Sequence, residues 1–124
     1  MKITNNTKLK DIQRAFQKLF PFLKLEFFSV AHAPGEGSEE IGALDAGLLV
    51  SDIRKGGLEG TLDIDPNWST AMFEQILEQD FGLHVQIYRR SYGKWLQTWA
   101  TDVWTLTEQN RRGSIMGDRG VPVS

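Results

Sequence analysis

Twice along this chain the spacing of apolar residues changes from a helical period to a strand period. Between Thr7 and Phe20, Leu9, Ile12, Phe16, Leu19 and Phe20 fall on one stripe, with Lys8, Lys10, Arg14 and Lys18 away from it. Pro21 stops that helix, because the residue before a proline is pushed out of helical geometry, and FLKLEFF (22–28) then alternates apolar and polar. Met72, Phe73, Ile76, Leu77 and Phe81 repeat the stripe over Ser69 to Phe81, Gly82 is placed to end it, and GLHVQIYRR (82–90) alternates again. The two helix-to-strand units are alike in pattern and weak in identity.

Four phrases have the chemistry of a helix start, with a polar residue ahead of an apolar one and an acid or glutamine soon after. They begin at Thr7, Leu49, Ser69 and Thr105. The second helix, about 48–55, is short and closed by Gly56-Gly57; the last, 105–110, has barely one and a half turns. Further strands are expected at Thr61–Asp65 and, after a turn at Ser91-Tyr92-Gly93-Lys94, at Trp95–Thr101.

Residues 60–90 then read as a β-α-β unit with a right-handed crossover into a parallel pair. The pattern as a whole predicts one α+β domain over residues 1–110: a four-stranded mixed sheet with three helices mainly on one face and a C-terminal hairpin. AHAPGEGSEEIGALDAG (31–47) reads as a mobile acidic surface loop, and RRGSIMGDRGVPVS (111–124) as a disordered tail.

Composition narrows the chemistry. With no cysteine among 124 residues there are no disulfides, thiolate metal sites or thiol nucleophiles. No apolar run reaches membrane-spanning length and the opening MKITNNTKLK has no signal-like apolar core, so a soluble, cytoplasmic protein without membrane contact is expected. The formal charge of −2 hides blocks of +5 over 1–24, −10 over 25–80 and +3 over 81–124. Electrostatic steering is therefore local rather than global.

No catalytic or cofactor motif is complete. Gly35-Glu36-Gly37-Ser38-Glu39-Glu40 follows a strand but carries glutamates that would repel a pyrophosphate, and no Gly-Lys-Ser or Gly-Lys-Thr occurs. His32 with Glu36, Glu39 and Glu40 is a loop acid cluster rather than a ligand set, so no metal and no cofactor is expected. Asp63 and Asp65 share a strand face about 6 to 7 Å apart, a spacing used in glycoside hydrolysis and equally that of a solvated strand. A small hydrolase is the remote alternative, and a non-enzymatic protein is the expectation.

The constellation that stands out is YRRSYGKWLQTW (88–99), in which basic side chains alternate with aromatic ones. Two registers are open. A two-residue turn at Tyr92-Gly93 pairs Arg90 with Trp95, Tyr88 with Gln97 and Gln86 with Trp99, and gathers an aromatic and basic platform. A three-residue turn with a Gly93 bulge sends the tryptophans to the core. On the favoured two-residue turn, Tyr88, Arg90, Tyr92, Lys94, Trp95 and Trp99 are the candidate partner-binding residues. Such residue types dominate protein interfaces, so an interaction or adaptor domain, an accessory subunit of a larger assembly or a homo-oligomer, is expected; single-stranded nucleic acid is the less favoured partner.

Overall fold

The structure, a computed structural model, describes residues 1–29, 35, 37 and 42–117. In chain order the elements are β1 (Lys2–Ile3), α1 (Leu9–Leu19), β2 (Leu23–Phe28), α2 (Val50–Ile53), β3 (Gly60–Thr61), α3 (Thr70–Phe81), β4 (His84–Ser91), β5 (Lys94–Gln97) and α4 (Leu106–Met116). A 3-10 turn over Trp99–Thr101 lies between β5 and α4. The fold is α+β, but the strands form two antiparallel sheets rather than one mixed sheet: β1 with β3, and β2-β4-β5 in that order.

The expected β-α-β unit is thereby corrected. The strand before α3 pairs with the chain's first strand, and β4 takes β2 as its antiparallel neighbour, so no parallel pair exists among the described residues. Alternation tells which side of a strand is buried and is silent on which strand lies beside it. Helices α1, α3 and α4 pack on the three-stranded sheet, and Ile12, Phe16, Phe73, Leu77, Leu23, Leu25, Phe27, Val85, Ile87 and Leu106 meet in one apolar core. Leu19 and Met72, read as part of the buried stripes, are exposed instead.

All four expected helix starts occur, and they pair in twos through the backbone. Leu9 and Lys10 donate their N–H groups to the carbonyls of Leu48 and Ala46 (both 2.9 Å), while Val50 and Ser51 donate to Thr7 (2.9 Å) and Asn5 (3.0 Å). The same exchange joins the other pair: Thr70 and Ala71 donate to Trp104 and Asp102 (both 2.8 Å), and Leu106 and Thr107 to Trp68 (3.0 Å) and Pro66 (3.1 Å). Helix N-termini leave amides without partners inside the helix, and here each start satisfies the other's. Ser69 and Thr105 add side-chain caps at 3.1 and 3.0 Å. Thr7 adds none, because its hydroxyl accepts from Thr4 N–H and the N-cap position falls on Lys8.

The two halves of the chain therefore repeat one arrangement. Each has a short strand, a helix, a longer strand and a second helix whose start is locked to the first. Where the longer strands meet, Glu26 pairs with Gln86, and the flanking pairs Leu25 with Ile87 and Phe27 with Val85 are mirror counterparts. Met1, just before β1, and Leu62, just after β3, exchange hydrogen bonds with each other.

The ends of the chain also differ from the expectation. The helix expected over 105–110 runs to Met116 with Gly113 buried, so 111–116 belong to the packed fold; 118–124 lie outside the described residues. Of the segment read as a mobile acidic loop, 31–34, 36 and 38–41 likewise lie outside them, and Leu44 donates its N–H to Phe27 C=O at 2.7 Å. No described helix is long and apolar enough to cross a membrane.

Candidate functional site

The hairpin has the two-residue turn. Ser91 pairs with Lys94, Arg90 with Trp95, Arg89 with Leu96 and Tyr88 with Gln97. Tyr92 and Gly93 both take positive φ (49° and 75°), which is the twist a tight hairpin requires. The expected continuation of β5 to residue 101 fails. Thr98 turns inward, giving its N–H (3.2 Å) and hydroxyl (2.9 Å) to Ile87 C=O, and the chain enters the 3-10 turn. Gln86 thus does not pair with Trp99. Beyond that departure the Glu74 carboxylate, buried on α3, accepts the Ile87 N–H at 2.9 Å in place of a strand.

Register places Lys24, Glu26 and Phe28 of β2, His84, Gln86, Tyr88 and Arg90 of β4, and Trp95 and Gln97 of β5 on the sheet face away from the helices. Cations and rings interleave on this face. Lys24 Nζ lies 4.9 Å from the Tyr88 ring centroid and 5.4 Å from that of Trp95, and the Arg90 guanidinium carbon lies 5.2 Å from the Trp95 centroid. Lys24 is also paired with Glu26 at 3.5 Å. Lys24, Glu26, Ala43 and Tyr88 line an open depression of about 250 Å³ beside this stack.

The six residues singled out from sequence divide accordingly. Tyr88, Arg90 and Trp95 come together, although Tyr88 is 3% exposed and forms a floor rather than a projecting ring. Lys94 is exposed at the hairpin tip. Tyr92 turns toward α4: its N–H donates to Met116 C=O at 2.9 Å and its hydroxyl approaches Met116 Sδ at 4.0 Å. Trp99, 45% exposed on the 3-10 turn, stands apart from the stack, and a side chain at Gly37 would collide with it and with Gln97. Gly35 N–H is held nearby by the buried Asp102 carboxylate at 2.8 Å.

Sequence reasoning missed Lys24, Glu26 and Ala43. The first two were legible as the polar positions of FLKLEFF, but their place beside Tyr88 depends on the antiparallel pairing of β2 with β4. A second aromatic and basic group lies on the helical side. Arg89 and Arg112 sit over Trp104 at 5.3 and 5.1 Å, Arg89 donates to Gln109 at 2.8 Å, and Glu108 grips Arg111 and Arg112. Hydrogen bonds from both arginines hold the Glu108 carboxyl down at about 2, while burial, and then Arg112, lower Arg89 from its ordinary value.

Asp63 and Asp65 do not line the depression. Both are exposed, and Asp65 accepts Asn67 N–H at 2.9 Å in a turn. His32 lies outside the described residues, and His84 approaches Glu78 at 3.9 Å. Among the described residues no group of three or more histidines and acids is placed to hold a metal ion. No protein-family model, no curated protein and no solved structure matches this chain.

Proposed function

We propose that this is a non-enzymatic protein-interaction domain, an adaptor or accessory subunit, that binds a protein partner through the hairpin face. The observation that carries the reading is Trp95, partly buried and flanked by Arg90 and Lys24, beside a depression floored by Tyr88. An aromatic and arginine anchor next to a concavity is the composition from which interface hot spots are built. A protein partner accounts for this face better than nucleic acid does. Bases stack on open rings, whereas Trp95 already has two cations over it and Tyr88 is buried.

Affinity capture from the native host tests the reading, using the wild-type chain with Trp95→Ala and Arg90→Glu, each first shown by circular dichroism to keep its helix content and unfolding midpoint. A stoichiometric partner retained by the wild type and lost from both variants is the expected result. An identical partner set for all three proteins overturns it.

A further inference from the structure

We infer that residues 54–59 are a hinge through which two copies of this chain exchange halves, residues 1–53 of each closing on residues 60–117 of the other. The repeat of one arrangement in both halves carries it. Within each half the two helix starts satisfy one another's backbone, Leu9 and Val50 in the first, Thr70 and Leu106 in the second. The contacts that join the halves are of another kind: β1 on β3, β2 on β4, and Phe16 against Phe73 with ring centroids 5.1 Å apart. Each half is thus closed locally, while one side of its apolar core is supplied by the other half. A second chain supplies that side equally well, because an exchanged dimer repeats the monomer's own contacts everywhere except at the linker.

The linker decides between the two forms. It runs from the end of α2 to β3 and is folded back on the end of α3. Leu58 N–H donates to Asp80 C=O at 2.8 Å, and Arg54 Nη1 donates to the carbonyls of Leu58 and Phe81 at 2.9 and 2.8 Å. Gly57 takes φ 137° there, and a side chain at this position would collide with the Phe81 carbonyl. A side chain on Gly82 would meet Gly56 C=O in the same way, so the closed linker depends on bare backbone at the helix end. Closed, it holds the two halves at high effective concentration, and the dilute native chain is expected to be a monomer. A side chain at Gly57 strains the closed linker and leaves an extended one untouched, which shifts the balance toward exchange.

The test uses the full chain carrying Lys2→Cys and Thr61→Cys, exposed partners across β1 and β3 in a protein with no cysteine of its own. Next to the hydrogen-bonded pair Met1 and Leu62, they form a non-hydrogen-bonded antiparallel pair, which lies within disulfide reach. Oxidation by glutathione disulfide links a monomer to itself and an exchanged dimer chain to chain, and non-reducing electrophoresis separates the two. The double-cysteine protein and its Gly57→Val form are refolded from urea at matched low and high concentration, then oxidised and sized by light scattering. At the same concentration Gly57→Val is expected to give at least about tenfold more chain-to-chain dimer, with unchanged helix content by circular dichroism. Equal dimer fractions, or only intramolecular disulfides in both proteins at every concentration, overturn the inference. A dimer by light scattering whose disulfides stay within each chain overturns it too, since such copies associate through an outer surface. So does a Gly57→Val protein unfolded at every concentration, because linker strain would then unfold the halves rather than exchange them.

Discussion

Glu26 and Gln86 face each other across the β2–β4 ladder at the point about which the two halves of the chain repeat. Glu26 keeps a quarter of its side chain in solvent and pairs with Lys24, whereas Gln86 is fully buried. Its amide nitrogen donates to Ile87 C=O at 3.0 Å, and its Oε1 has no hydrogen-bond partner among the described residues. Gln86→Met therefore removes a polar atom that gains nothing from burial, and stability should stay within about 1 kcal/mol of the native value by urea denaturation. Gln86→Glu buries a carboxylate opposite Glu26 and should cost about 3 kcal/mol or more at neutral pH. Burial raises that carboxyl's folded pKa above its unfolded one, so the variant should be closest to native in acid and lose stability as pH rises.

The hairpin turn demands a left-handed backbone at a known place. Gly93 holds φ at 75°, a conformation that β-branched residues strongly resist, so Gly93→Val should destabilise the protein by about 1 to 2 kcal/mol. The same substitution should loosen the Arg90–Trp95 pairing, observable as faster amide exchange along residues 90–95.

Helix capping separates the two halves. Ser69→Ala and Thr105→Ala each remove a side-chain bond to a first-turn amide and should each cost about 1 kcal/mol. At α1 the N-cap is Lys8, extended at φ −78° and ψ 144° and without a side-chain cap, so Lys8→Ser should raise the unfolding midpoint.

Acid should release the Glu108 clasp on α4. The Glu108 carboxyl sits at about 2, held down by Arg111 and Arg112, and is lower in the folded protein than in the unfolded chain. Its contribution is thus complete above the ordinary glutamate range and disappears as pH falls toward about 2. The indole N–H resonance of Trp104, beside Arg112, should move over that window in the wild type, and Glu108→Gln should remove that movement.

Gly113 lies inside α4, where alanine ordinarily improves a helix. Here a Cβ would fall 2.7 Å from Phe22 Cβ and 3.0 Å from Phe22 C=O. Gly113→Ala should consequently lower stability by about 1 to 3 kcal/mol despite its better propensity, measured by thermal unfolding.

What could be read from the sequence was local. Ser69, Thr105, Gly82 and Pro21 act on amides and dihedrals within a few residues of themselves, and the helix boundaries they imply agree with the structure. The turn at Tyr92-Gly93 belongs to the same class, and with it the pairing of Arg90 and Trp95 that begins the candidate site. Gly113 fell in the segment read as a disordered tail, because the approach of Phe22 from the far end of the chain, which constrains it, leaves no trace in its neighbours.

By itself, then, the sequence determined the faces of its helices and strands, because burial follows a period of 3.6 or 2 residues that is written into neighbouring positions. Tertiary structure alone decided which strands became neighbours and where β5 gave way to a turn. It set β2 against β4, brought Lys24 and Glu26 to Tyr88 and Trp95, and replaced the end of β5 with a Glu74 carboxylate from α3. Partner choice between strands is settled by how whole apolar faces close on one core, a sum over distant residues that no local period encodes.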